Sequence, residues 1–239
     1  MTTKFIALDV ETGGIGTTYS LLSAYFLALD EKFNKIDDLY LFLKPDDGAY
    51  VVCGEAMNVN RIDLKVHDTK AIIYREAGTI LYKWLSKMTS DGKNRAYLLG
   101  HNVKGDRDKV VQFLLCRGSW EKFISHRLRD TQASAGFLVD SDILPSDLSC
   151  SLESLAKYFN IPFDENVAHD AKYDTERTVD VYKELTNLMK NICKSTERKM
   201  TEYGWYCQNV EDEIADTMRT DNVSREQAII DVFNQNKKK

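Results

Sequence analysis

The amino-acid sequence predicts an α/β protein, with a mixed five-stranded sheet flanked by helices and a helical C-terminal extension. Three observations predict it. Strand-like apolar runs follow one another at hairpin spacing from Phe5 to Lys44, helical and strand-like periods alternate from Thr69 to Asn191, and the composition changes beyond residue 191. The chain therefore divides into a main domain over 1–190 and an extension over 191–239.

The first run, Phe5 to Gly14, is a short apolar stretch that delivers two carboxylates and stops at a glycine pair, which reads as a buried strand and a tight loop. Side chains alternate along a strand, so Asp9 and Glu11 share one face while Leu8 and Val10 pack on the other. Tyr19 to Leu29 is the second strand, residues 30–35 the turn, and Asp37 to Lys44 the third strand, ended by Pro45-Asp46-Asp47-Gly48. Adjacent strands joined this way form an antiparallel meander. From 69 to 88, Ile72, Ile73, Ala77, Ile80, Leu81, Trp84 and Leu85 recur at helical spacing and predict a long amphipathic helix closed by Ser90-Asp91-Gly92. Residues 95–100 form a buried strand and 105–115 a helix, the βα half of a crossover. A short strand over 126–130 and helices over 131–138 and 151–159 follow, the last capped by Ser151. A final helix over 171–191 starts at His169 or Asp170. The extension carries the aromatic patch Tyr203-Gly204-Trp205-Tyr206 and ends in Lys237-Lys238-Lys239.

At 239 residues, 43% apolar and 29% charged, the composition is that of an ordinary globular protein with one main core. No apolar run is long enough to span a bilayer, and Met-Thr-Thr-Lys leads straight into the first strand without room for a signal peptide. A cytoplasmic protein with no membrane partner is expected. The five cysteines form no Cys-x-x-Cys pair and predict reduced thiols rather than a disulfide framework or a zinc site. A net charge of −5 argues against a uniformly basic polyanion-binding surface, but it is compatible with an enzyme that engages one strand end through metal ions.

Two acids side by side at the end of a core strand need a compensating positive charge, and for hard oxygen donors that is Mg²⁺ or Mn²⁺. Asp106 falls at the start of the helix after the strand that ends at Gly100, near the strand ends where open α/β sheets place their sites. Its plainer reading is a first-turn acid favoured by the helix dipole; Asp108 lies further round and faces elsewhere. His169 and Asp174 are separated by about 500° of helical rotation, so they meet only if His169 lies in the loop before the helix. Small residues at Ala171, Thr175 and Thr178 then let that helix approach the sheet closely.

Together these stretches resemble the DEDDh branch of the DnaQ-like 3′-5′ exonuclease superfamily, which has an RNase H-like fold. Asp9-Val10-Glu11-Thr12-Gly13-Gly14 matches the first motif, His101-Asn102 with Asp106 the second, and His169-x-Ala171-x-x-Asp174 the third. Arg129-Asp130-Thr131 and Ser151 to Phe159 add weaker matches, and the resemblance runs from about residue 4 to about 190. It departs at Gly105, where the family carries an aromatic residue before the third acid.

The resemblance implies a metal-dependent hydrolase that removes nucleoside 5′-monophosphates from the free 3′-hydroxyl end of single-stranded nucleic acid. Two divalent cations, Mg²⁺ or Mn²⁺, would be held by Asp9, Glu11, Asp106 and Asp174, with His169 as the general base. Thr12, Gly13, Gly14, His101 and Asn102 would contact substrate. DNA is slightly favoured as substrate, RNA is the alternative within the family, and a noncatalytic nucleic-acid-binding module on the same scaffold is the alternative outside enzymes.

Overall fold

Alternation along the first strand sets the layers of the protein. In the computed structural model, β1 (Phe5–Thr12) sends Ile6 and Leu8 into one apolar cluster and Phe5 and Ala7 into another on the opposite face. The backbone is described for residues 2–236, and the side chains for all of these except 196–211, 220–221, 226 and 233–236.

β2 (Leu21–Leu29) and β3 (Lys35–Lys44) follow β1 as the antiparallel meander. The short helices α1 (Gly54–Asn60) and α2 (Leu64–Asp68) come next, then β4 (Ile72–Ile73) and the helix α3 (Tyr74–Met88). β5 (Ala96–Gly100), α4 (Lys104–Phe113), α5 (Arg117–Phe123), β6 (Ile124–Asp130), α6 (Thr131–Asp140) and α7 (Leu152–Tyr158) complete the alternating part. α8 (Ala171–Asp221) and α9 (Arg225–Asn236) end the chain. The sheet has six strands in the order β4-β3-β2-β1-β5-β6, with β1, β5 and β6 mutually parallel. The sixth strand, beyond the five expected, is β4. Its two residues stand at the head of the expected 69–88 helix and pair with Leu43 and Lys44 instead, because the pre-helical backbone there meets an open sheet edge.

One face of the sheet is covered by α3, α4 and α5 through Ala77, Leu81, Leu85, Val110 and Trp120. The other receives the start of α8 through Ala171 and Val179. Ser151 caps α7 as expected, its hydroxyl accepting from the Ser154 N–H. The helix expected to end near 191 continues to Asp221, since neither proline nor glycine interrupts residues 171–203.

Two compact units divide the chain, Met1–Leu185 and Thr186–Lys239. In the second, Ile214 on α8 packs with Ala228 and Val232 on α9. The side chains of Tyr203, Trp205 and Tyr206 lie outside those described, and Lys237-Lys238-Lys239 outside the described residues. No described helix is long and apolar enough to cross a membrane. Cys53, Cys116, Cys150 and Cys193 are free thiols.

Candidate active site

Asp9 and Glu11 leave β1 on the face that receives α8. Asp9 pairs across the ladder with Tyr25 and Glu11 with Ser23. The register then slips between Glu11 and Thr12, a bulge of the kind that re-aims side chains beside active sites. Asp174, in the first turn of α8, reaches the same point, and one carboxylate oxygen from each of Asp9, Glu11 and Asp174 lies within 4.8 Å of the others.

His169 sits in the loop before α8, as the helical arithmetic requires. Its backbone is left-handed (φ 68°), its N–H donates to Asp174 Oδ2 at 3.1 Å, and its imidazole is exposed. Asp106 lies in the first turn of α4 and stands outside the three-carboxylate group. The Val10 amide on β1 is close enough to favour its charged form, which puts its carboxylate beside that strand. A Cβ on Gly105 would meet no atom within 4 Å, so the family's aromatic position is open space here. Asp108 faces away and pairs with Arg107 at 2.7 Å.

Burial and mutual repulsion dominate the electrostatics. Burial pushes the Asp9 carboxyl well above the usual range, and Asp106, Glu11, Asp174 and Asp170 push it further. Glu11 is raised to about 9 by burial and then by Asp174, Asp170 and Asp106. Asp106 is raised to about 7 by burial, against the backbone amides that favour its charged form. Asp174 is raised by burial, opposed by the His169 N–H. None of the ion pairs among the described residues involves these acids. Asp174 Oδ1 is buried and accepts no hydrogen bond. Converging, unpaired carboxylates with an orphaned buried oxygen fit a divalent cation, for which all-oxygen donor sets are suited.

These shifts set an expectation for pH. In the folded, metal-free protein the raised carboxyls hold their protons to higher pH than in the unfolded chain, so their contribution is full below about pH 4 and lost as pH rises through about 7 for Asp106 and about 9 for Glu11. Melting in EDTA is expected to fall by about 5–10 °C between pH 5.5 and 8.5, a loss of a few kcal/mol at this chain length. Mg²⁺ is expected to raise the melting temperature more at pH 8.5 than at 5.5, because cations need the deprotonated ligands. A pH-independent melt in EDTA would contradict the burial of these acids.

The glycine loop packs as much as it presents. A Cβ on Gly13 would lie 2.5 Å from Val51 O, and one on Gly14 would lie 2.7 Å from the Tyr19 ring. The Gly13 N–H donates to Ser20 O at 2.8 Å, so the amide of this residue, expected to contact substrate, is already committed within the fold. Thr12 and Gly14 line a cleft of about 360 Å³ beside Glu11, with Ile15 at its edge 98% exposed. On the other side of Glu11, a cleft of about 270 Å³ is lined by Tyr40, Lys70, His169 and Asp170. Lys109 and Gln112 on α4, the helix of Asp106, hold the glycine loop through the carbonyls of Gly16, Tyr19 and Thr17 at 2.6, 2.9 and 2.7 Å.

His101 and Asn102 line neither cleft. Thr131 Oγ1 donates to Gly100 O at 3.3 Å and lies 2.8 Å from His101 Nδ1, which ties the imidazole to the start of α6. Burial lowers the imidazole's proton affinity, against the Asp130 charge, which raises it. The amides of Asn102 and Val103 donate to Asp130, which also caps α6 through Ala133. The Arg129-Asp130-Thr131 motif thus organises the loop leading to Asp106.

Three contributors were not foreseen. Asp170, expected only as a helix start, is a fifth acid facing the cluster; its adjacency to His169 was the available signal. Asn60, at the end of the unforeseen α1, donates to Thr12 O at 3.1 Å and lines both clefts. Tyr40 donates to Asp170 Oδ2 at 2.8 Å across 130 residues of sequence, and no local pattern announces it.

No protein-family model matches the chain. Ribonuclease T of Shigella boydii serotype 4 (strain Sb227) is 30% identical over 197 residues, covering 78% of this chain and 86% of that protein. Among solved structures, Escherichia coli exonuclease I in complex with a dT13 oligonucleotide aligns with a TM-score of 0.56 at 20% identity, over 85% of this chain and 43% of that one. The zinc-bound form of the E. coli exonuclease I–ssDNA complex aligns with a TM-score of 0.57 at 20% identity, over 90% and 45%. This chain therefore spans less than half of the exonuclease I chains, and that likeness concerns the fold. Identity sustained along most of ribonuclease T, on a sheet that gathers the acids of the first and third motifs, establishes the relationship: the chain belongs to the DEDDh branch of the DnaQ-like 3′-5′ exonuclease superfamily, the family of ribonuclease T.

Proposed function

We propose that the chain removes nucleoside 5′-monophosphates one at a time from the 3′-hydroxyl end of single-stranded nucleic acid, with residues 1–190 as the catalytic domain and 191–239 as an appendage. The observation that carries this reading is the convergence of Asp9, Glu11 and Asp174 within 4.8 Å on a chain 30% identical to ribonuclease T. Asp9, Glu11 and Asp174 would hold one of two divalent cations, Mg²⁺ or Mn²⁺, and Asp106 would serve the second. Such cations supply charge stabilisation on the phosphodiester oxygens and ease the deprotonation of water. His169, exposed beside Asp174, takes the proton from the attacking water. The new bond forms between that oxygen and phosphorus as the bond from phosphorus to the 3′-oxygen of the preceding nucleotide breaks. The departing 3′-oxygen takes a proton from solvent water, leaving a fresh 3′-hydroxyl on the shortened strand, and His169 returns its proton to solvent.

Ile15 and the half-exposed Val59 offer aliphatic surface to the terminal base in the cleft beside Glu11. An unpaired last base enters without the cost of separating a duplex end. A 3′-phosphate brings added negative charge towards the acids and is expected to inhibit strongly. The ribonuclease T relationship, at higher identity and over more of the relative's own length than the exonuclease I likeness, favours RNA. The second reading, DNA, rests on the shared fold with an exonuclease I solved on dT13.

The test is digestion of 5′-labelled single-stranded RNA, single-stranded DNA and duplexes with Mg²⁺ or Mn²⁺. Stepwise shortening of the labelled strand is expected, with 3′-phosphorylated strands strongly inhibited and EDTA abolishing the reaction. Cutting of circular single strands, or undiminished hydrolysis in EDTA, would overturn the proposal.

A further inference from the structure

We infer that Tyr40 is a positioning residue for His169: its hydroxyl fixes Asp170, and Asp170 fixes the left-handed turn that presents the imidazole to the cleft shared with Glu11. This inference rests on His169 acting as the base in the proposed reaction. The His169 backbone, at φ 68°, occupies a region that non-glycine residues adopt only when their surroundings enforce it. Two contacts enforce it. The His169 N–H donates to Asp174 Oδ2, and the next residue, Asp170, is held on both carboxylate oxygens.

Asp170 Oδ1 accepts from the amides of Lys172 and Tyr173 at 3.1 and 3.0 Å, closing the first turn of α8. Its Oδ2 accepts from the Tyr40 hydroxyl at 2.8 Å. The phenol itself has little freedom, being stacked on Phe42 at 4.5 Å and edge-on to Tyr25 at 5.3 Å. Tyr40 sits on β3, two strands from β1, so the link ties the His169 turn to the same sheet that carries Asp9 and Glu11. A group that must accept a proton in a fixed geometry loses rate when its support is loosened by about an ångström, on the order of 10²-fold at most.

The test is kinetics of Tyr40→Phe, alone and combined with His169→Asn, on a single-stranded oligonucleotide, with melting curves as the folding control. Asp170→Ser is a second variant, able to cap α8 but too short to reach Tyr40. Tyr40→Phe is expected to lower kcat by about 10- to 100-fold with KM and melting little changed. In the His169→Asn background the same change is expected to cost less than about twofold, because the group it positions is gone. Equal losses in both backgrounds, or a loss confined to KM, would assign Tyr40 a purely structural role and overturn the inference alone. Full turnover in His169→Asn would overturn both this inference and the assignment of the base, and a wild-type protein without nuclease activity would overturn the proposed function itself.

Discussion

Replacing Asp9 by asparagine is expected to lower turnover by at least about 10³-fold, since the cations bound at such a site contribute several kcal/mol and each 1.36 kcal/mol is tenfold in rate. The substitution keeps the shape of the side chain and removes one charge from the most crowded point of the cluster, where Asp106, Glu11, Asp174 and Asp170 all oppose ionisation. The same variant is therefore expected to melt no lower than the wild type in EDTA at pH 8, and higher if relief of repulsion outweighs the lost contacts of the carboxylate. Mg²⁺ should raise its melting temperature much less than it raises that of the wild type. An active Asp9→Asn variant, or one stabilised by Mg²⁺ as strongly as the wild type, would remove Asp9 from the metal site.

The second large effect is expected at His169. Asparagine suits this position better than alanine as a test, because it tolerates the left-handed backbone at φ 68°, and the backbone N–H that donates to Asp174 is kept. Turnover is expected to fall by about 10²- to 10⁴-fold, the range for a lost acid–base group. Stabilisation by Mg²⁺ should stay near the wild-type value, since the carboxylates are untouched. A variant with near-normal turnover at neutral pH would make His169 a turn residue only, and the proton would then leave by another route.

Much of the site could be read locally because it rests on short-range periodicity. Alternation put Asp9 and Glu11 on one face of β1, and the structure places that face under α8, while Leu8 packs on the opposite side. Rotation along a helix required His169 to precede α8 if it was to meet Asp174, and its backbone donates to that carboxylate. The meander, the crossover strands and the amphipathic α3 followed equally from patterns that span a single element. Elements too short to carry a period were missed: α1, α2 and α5 have seven, five and seven residues, and β4 only two.

The remaining features depend on residues distant in sequence meeting across the sheet, which no window of the chain contains. Asp130 receives the amides of Asn102 and Val103 from another strand end, turning the second motif's His101-Asn102 into a supported loop rather than a lining of either cleft. The Gly13 amide is taken by Ser20, so the glycine pair serves close packing against Val51 and Tyr19. Tyr40 and Asp170 meet only because β3 lies two strands from β1 on the side where α8 begins. Sequence by itself determined the longer strands and helices and which of their residues share a face, because those follow from local backbone geometry. Tertiary structure alone decided that Asp170 joins the acids, that the Gly13 amide is taken by Ser20 and what holds the His169 turn, because each of these is a contact whose partners are brought together by strand order and helix packing.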